Sequence, residues 1–309
     1  MCCISVRQLT KHYNSYKVLD SISFDLEYGD IFGFLGPNGA GKTTTIKILT
    51  TLIKPTSGSV TILGHDLIKD AHYIRSKIGV VQQKPSLDNN LTVSKALDIY
   101  GMLWGVPKHI RRDRINELLS VFGLAEVSNT PIEELSIGQK RRLQVAREFI
   151  HDMELLFLDE PTVGLDPSTR RILLNYIKSK VNEGLTVFFT THIMEEAEYL
   201  CNKIAIINKG KIIALDKPHK LKERYNSMKR VELILSEPID NISSIINADT
   251  IKIDNNMISI VSNDAENILI NLINVLNARN ISIESITVTP PTLEDTFLSI
   301  IDDHNDKSS

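Results

Sequence analysis

The sequence predicts an α/β chain of two domains: a core of alternating strands and helices with an inserted helical subdomain, followed by a small α+β domain. Three observations predict it. Strand-like and helix-like apolar runs alternate from Ile4 to about Tyr225, strand character is lost between about Leu91 and Glu134, and short alternating strands appear after the polar stretch Lys220 to Lys229. A length of 309 residues suits two domains better than one.

The first element with chemistry is the loop GPNGAGKTT, Gly36 to Thr44. It fits Gly-x4-Gly-Lys-Ser/Thr, with an apolar run (Ile31, Phe32, Phe34, Leu35) before it and a helix-like run (Ile46, Ile48, Leu49) after it. Gly36, Gly39 and Gly41 can take backbone angles closed to other residues, so several N–H groups turn inward. The following helix aims its positive dipole end at the same spot. Gly36, Pro37, Asn38, Gly39, Ala40, Gly41, Lys42, Thr43 and Thr44 are therefore the expected phosphate cradle. Lys42 is placed to neutralise β- and γ-phosphates, and the Thr43 hydroxyl to ligate Mg²⁺.

The next stretch has helical spacing, as in Leu97, Tyr100, Met102 and Leu103, then Ile115, Leu118, Leu119 and Phe122. It is read as a helical subdomain, with outer bounds at about 85–150. After it, LLFLDE (Leu155 to Glu160) delivers two adjacent carboxylates at the carboxyl end of an apolar strand. The chain turns there, so the two acids can take different tasks. Asp159 is expected to hold Mg²⁺ through its water shell, and Glu160 to polarise an attacking water.

Between these lies LSIGQ, Leu135 to Gln139, followed by the basic run Lys140, Arg141 and Arg142. Here the chain resembles the ATP-binding-cassette family, whose signature usually reads LSGGQ; Ile137 departs from it, while Leu135, Ser136, Gly138 and Gln139 match. The resemblance implies a P-loop ATPase core binding ATP and Mg²⁺. It also implies that the signature closes on the ATP of a second copy, with Ser136 and Gly138 donating hydroxyl and N–H groups to the γ-phosphate and Gln139 beside them. Gln83 resembles the glutamine that reaches Mg²⁺ and the water, with Gln82 as a neighbouring alternative. Gly164-Leu165-Asp166 resembles the loop that contacts the partner subunit. His192, after the apolar strand Thr186 to Thr190, resembles the histidine that contacts the γ-phosphate, and Tyr13 the aromatic that stacks on adenine.

The last part reads as βαββαβ: a strand at Val231, Leu233 and Leu235, a helix at Ile239, Ile242, Ile245 and Ile246, and two strands around the turn Asp254-Asn255-Asn256. A second helix at Leu269, Leu272, Ile273 and Leu276 and a strand from Ile281 to Val288 complete it. That order is ferredoxin-like. Pro290 and Pro291 end the strand, and Thr292 with Asp295 reads as a capping box for a last helix. TPPTLEDTFLSII, with the preceding pattern, resembles the C-terminal extension of the ATPase subunits of daunorubicin-resistance type exporters. The expected domains are 1–225, 226–303 and a disordered tail at 304–309.

Composition narrows the function further. Basic and acidic residues balance at 35 and 38, giving no electrostatic pull toward nucleic acid. Three cysteines, two of them adjacent, make no disulfide framework and point to a reducing compartment. No stretch approaches the roughly 20 apolar residues that cross a bilayer. With the resemblance, this implies an ATPase subunit at the cytoplasmic face of a membrane, pairing with a second ATPase subunit, most simply its own copy, and with separately encoded permease subunits. An exporter is expected; an importer's ATPase or a soluble cassette ATPase is the alternative. A GTPase is disfavoured because Asn208-Lys209-Gly210-Lys211 lacks the acid that guanine recognition needs.

Overall fold

The computed structural model describes residues 2–84, 86–225, 229–238, 250–262 and 264–306. It divides into two compact units, with the boundary between Pro218 and His219. In the first, strands β1 (Cys2–Tyr13) and β2 (Tyr16–Glu27) precede β3 (Ile31–Leu35), which leads into α1 (Lys42–Leu49). β4 (Ser57–Ile62), β5 (His65–Asp66), α2 (Ala71–Lys77) and β6 (Ile78–Val81) follow. Helices α3 (Val93–Leu103) and α4 (Lys108–Val121), a 3-10 turn (Ile132–Glu134) and α5 (Ile137–Glu148) then separate β6 from β7 (Leu155–Asp159). The unit closes with α6 (Pro167–Asn182), β8 (Thr186–Thr190), α7 (Met194–Leu200), β9 (Lys203–Asn208) and β10 (Lys211–Asp216).

The central sheet has the order β10-β9-β3-β8-β7-β6, parallel except for the β9–β10 hairpin. Every residue of β3, β7 and β8 is buried, which is why these strands read as unbroken apolar runs rather than alternating ones. Because β3, β8, β7 and β6 are neighbours in that order, the loops leaving their carboxyl ends fall side by side. The helical insertion leaves the sheet at β6 and returns at β7, the adjacent strand (Ile78 opposite Leu155), so it adds a subdomain without disturbing strand order.

A second, antiparallel sheet, β2-β1-β4-β5, interrupts the simple alternation expected from sequence. The β1–β2 turn contains no glycine; Asn14 takes its left-handed conformation (φ 52°), so the usual turn signal is weak there. Phe24 of β2 joins the sheets, its ring 5.1 Å from Phe32 and 6.0 Å from Phe188.

The second unit begins within α8 (Pro218–Tyr225), several residues before the boundary expected at 225, and continues through β11 (Lys229–Leu235), β12 (Thr250–Asp254), β13 (Met257–Ser262), α9 (Ala265–Ala278), β14 (Ile283–Thr289) and α10 (Leu293–Asp306). Its sheet is antiparallel in the order β12-β13-β11-β14, so β11 lies between the β12–β13 hairpin and the returning β14, as a ferredoxin-like chain path requires. The helix expected at Ile239 to Ile246 lies outside the described residues. Val231, Leu233 and Leu235 pack with Ile258, Ile260 and the α9 residues Ile268, Leu272 and Leu276. Leu269, expected on that face, is only partly buried.

The Thr292 capping box is present in both directions. Asp295 N–H donates to Thr292 Oγ1 at 3.1 Å, and Thr292 N–H to Asp295 Oδ2 at 3.1 Å. Thr292→Ala is expected to cost about 1 kcal/mol of local stability, read as faster amide exchange across α10. Unchanged exchange there would show that packing, not the cap, holds the helix. Helix α10 runs on through His304 to Asp306, part of the segment expected as a disordered tail; extending an established helix costs far less than starting one. Residues 307–309 lie outside the described residues.

Candidate functional site

A cavity of about 430 Å³ opens at the carboxyl ends of the central strands. Asn38, Gly39, Gly41, Lys42, Thr43 and Thr44 line it from the glycine-rich loop, Gln83 and Glu160 from the loops after β6 and β7, and Tyr16 and Val18 from β2. A cavity of similar size near the amino ends of β7 and β8, lined by His151, Tyr176 and Glu154 among others, includes none of the motif residues. The chemistry therefore belongs to the first.

The loop's shape is enforced residue by residue. Gly39 and Gly41 have φ of 79° and 115°, the left-handed range, and a Cβ on Gly36 would stand 2.2 Å from the Ile207 carbonyl oxygen. Gly36, Pro37 and Ala40 do not line the cavity; Gly36 and Ala40 are buried and Pro37 is exposed. The carbonyls of Gly36 and Pro37 accept hydrogen bonds from Lys42 Nζ at 2.7 and 3.1 Å. Burial lowers the pKa of the Lys42 ammonium below the ordinary lysine value, while nearby Glu160 and Asp159 act in the opposite direction. The result is a fixed positive charge at the mouth of a helix N-terminus, a site for a polyphosphate.

The two adjacent acids part as the chain turns. Asp159 accepts from Thr43 Oγ1 at 3.2 Å and from Thr190 Oγ1 at 2.7 Å. Thr43 and Asp159 thus form a pair of hard oxygen donors. This fits Mg²⁺, which takes one or two protein oxygens and completes its shell with water and substrate phosphate. Glu160 adopts φ 49°, a left-handed conformation that is strained for a residue with a side chain. Its carboxylate accepts from Gln83 Nε2 at 3.1 Å and lies 3.5 Å from His192 Nδ1. Gln83, not Gln82, therefore points its side chain at the acid; the Gln82 carbonyl is taken by Arg141 and Gln144.

The signature segment is outside this cavity. Ser136 caps α5: its Oγ accepts from Gln139 N–H at 3.2 Å, and Gln139 Oε1 accepts from Ser136 N–H at 2.8 Å. The cap uses the serine oxygen only as an acceptor, so the hydroxyl hydrogen is not spent on it. Gly138 lies against Gly164, and Ile137 is 77% exposed. Asp166 caps α6, accepting from Thr169 N–H at 3.0 Å, and its hydrogen bonds with Ser168 and Thr169 hold its carboxyl well below the usual carboxylate range. The structure thus brings Lys42, Thr43, Asp159, Glu160, Gln83 and His192 together and leaves Ser136, Gly138, Gln139 and Asp166 on a separate surface.

Two further residues were not legible as site residues. Tyr13, expected to stack on adenine, is not among those lining the cavity; Tyr16, its partner across the hairpin turn, is. Strand pairing is the missing information, because it puts both tyrosines at one turn. Arg141, read only as part of a basic run, is 3% exposed and lies behind Glu160.

A protein-family profile described as ABC transporter matches residues 19–163. The chain is 42% identical over 218 residues to the Nod factor export ATP-binding protein I of Ralstonia nicotianae, covering 71% of this chain and 68% of that protein. It is 33% identical over 304 residues to the daunorubicin resistance ATP-binding protein DrrA3 of Streptomyces coeruleorubidus, covering 97% of this chain and 96% of that one. Among solved structures it is similar, with a TM-score of 0.65 and 26% identity, to a dimeric ATP-binding cassette in a post-hydrolysis state bound to ADP and Pi. That likeness covers 69% of this chain and 98% of the other.

Proposed function

The chain belongs to the ABC transporter family and is its ATP-binding, ATP-hydrolysing type of subunit; on that premise we propose that it powers an exporter from the cytoplasmic face of a membrane, paired with a second copy of itself and with separately encoded permease subunits. Export is supported by the relatives named for Nod factor export and daunorubicin resistance, the second alike across both units of the chain. Pairing is supported by one observation above all: the capped N-terminus of α5, with Ser136 and Gly138, stands outside its own phosphate cavity and faces outward. No helix among the described residues is long and apolar enough to cross a membrane, which suits a chain whose permease is another polypeptide. Residues 1–225 are assigned as the nucleotide-binding domain, with the helical subdomain at about 85–150, and 226–303 as an accessory domain. No role for nucleic acid is proposed.

The residues divide the chemistry. Lys42 and the loop N–H groups hold the β- and γ-phosphates, and Thr43 and Asp159, with Gln83 beside them, would hold Mg²⁺, which would neutralise phosphate charge. Glu160 takes a proton from the water that attacks the γ-phosphorus; the bond to the bridging oxygen breaks, and ADP keeps that oxygen. Gln83 orients water and acid, and His192 steadies the γ-phosphate. Ser136, Gly138 and Gln139 of the second copy close the nucleotide from the other side, with Asp166 at the junction.

The adenine is expected to stack on Tyr16, Tyr13 supporting the turn. Tyr16→Ala should then weaken ATP binding by about 1–2 kcal/mol, roughly 5- to 30-fold in Kd, and Tyr13→Ala by less. Titration with ATP decides between them, and the reverse order would restore Tyr13 as the stacking residue.

The transport assignment is tested by tagging the Glu160→Gln chain, trapping it with ATP and identifying what co-purifies from detergent-solubilised membranes of its own cells. A polytopic partner encoded with an export locus is the expected result. A partner belonging to an uptake system would make this an importer's ATPase, and trapped protein from the soluble fraction alone would overturn transport altogether.

A further inference from the structure

Arg141 is the most heavily bonded buried cation near the site, and none of the roles above uses it. Its Nε donates to the carbonyl of Pro161 at 2.9 Å, and its Nη2 to the carbonyls of Asp159 and Glu160 at 2.9 and 2.6 Å. Its Nη1 donates to the carbonyl of Gln82 at 2.6 Å, to that of Gln83 at 3.2 Å and to Gln144 Oε1 at 2.5 Å. One planar fork thus gathers the backbone of both loops that supply the reacting side chains.

The backbone it gathers includes the strained residue. A left-handed Glu160 persists only where its surroundings over-determine it. From the sheet side, Glu160 N–H donates to the Thr190 carbonyl at 3.1 Å; from the helix side, Arg141 takes the Glu160 carbonyl. Gln144, one turn along α5, adds bonds to the carbonyls of Gln82 and Lys84 at 2.9 and 3.2 Å. Burial brings the guanidinium pKa down to about 10 even with Asp159 and Glu160 pulling it upward; five backbone carbonyls are what it obtains in return.

We propose that Arg141 is the positioning residue that holds Glu160 and Gln83 in their reactive arrangement and ties it to α5, so that the helix whose N-terminus closes on the partner's ATP also sets the hydrolytic acid of its own site. Ser136 and Arg141 are five residues apart on one rigid helix, about 7.5 Å of rise. A displacement of the α5 N-terminus by nucleotide in the neighbouring site therefore reaches the carbonyls of Gln82, Gln83, Asp159, Glu160 and Pro161 through Arg141, with Gln144 as a second tie at Gln82. This rests on the reading of Glu160 as the general base.

The test is Arg141→Lys in the full-length chain. Lysine keeps the charge, but its single nitrogen cannot fork across both loops. The expected result is a kcat lower by about 10- to 100-fold with the ATP Kd changed less than about twofold, a split that a general packing defect would not give. The decisive readout is the double variant with Glu160→Gln, followed in single turnover over hours. If Arg141 acts through Glu160, the double variant is no slower than Glu160→Gln alone. Wild-type turnover in Arg141→Lys, or losses that multiply in the double variant, overturns the proposal. Should Arg141→Lys fail to fold, Gln144→Met removes the acceptor that orients the guanidinium and is expected to give the same split at smaller amplitude; an unchanged kcat there overturns it equally. Glu160→Gln measured alone separates the two ideas: turnover near wild type would sink the general-base reading, whereas a dead Glu160→Gln beside a fully active Arg141→Lys sinks only the role of Arg141.

Discussion

Glu160→Gln is expected to slow ATP turnover by about 10²- to 10⁴-fold, roughly 3 to 5 kcal/mol of barrier, while ATP still binds and copies still associate. The substitution keeps the shape of the side chain and an oxygen to accept from Gln83 Nε2, now 3.1 Å away, but an amide cannot take the water's proton. Glu160 is 7% exposed, and its strained backbone is fixed by Thr190 and Arg141, so the variant has little freedom to rearrange. Phosphate release measured beside equilibrium ATP binding separates chemistry from affinity. Turnover near the wild-type rate would remove Glu160 from the role of base.

Lys42→Ala should fail at the earlier step. Lys42 is 7% exposed, and its ammonium is held by the carbonyls of Gly36 and Pro37 and sits close enough to Asp159 and Glu160 for both to favour its charge. Removing it leaves two carboxylates facing a triphosphate with only the Mg²⁺ that Thr43 and Asp159 would hold to offset the charge. The expected loss is about 3 kcal/mol of ATP binding, roughly 100-fold in Kd. Equilibrium titration with ATP reads it directly. Unchanged affinity would contradict the phosphate cradle.

Sequence carried the local chemistry further than the geometry. The glycine-rich loop, the paired acids and the Ser136 signature were legible because each is a contiguous string whose residue types serve one purpose. The four strands of the second unit and its helix α9 were legible for a related reason: strand and helix periods differ, and the Asp254-Asn255-Asn256 turn with its left-handed Asn255 punctuates them. What a string does not contain is adjacency between strands. Gln83, Glu160 and His192 meet only because β6, β7 and β8 are neighbours, and Tyr16 enters the cavity only through its pairing beside Tyr13.

Arg141 was hidden differently. Lys140, Arg141 and Arg142 look alike as a solvated run, yet a helix turns about 100° per residue and sends them in different directions. A signal did exist: Arg141, Gln144, Val145 and Glu148 share one face at i, i+3, i+4 and i+7, and all four are buried. A polar stripe on the inner side of a helix indicates partners on another element, and the carbonyls of residues 82, 83, 159, 160 and 161 are those partners.

On this reading two copies share each ATP between the P-loop of one and the signature of the other. Sedimentation of the Glu160→Gln chain with and without ATP tests it most directly, with bound nucleotide counted in the same sample. A monomer is expected without ATP, and with ATP a species of twice the mass carrying two nucleotides, which Ser136→Phe in the same background returns to monomer. A chain that binds ATP fully and stays monomeric, or a dimer indifferent to Ser136→Phe, would contradict it.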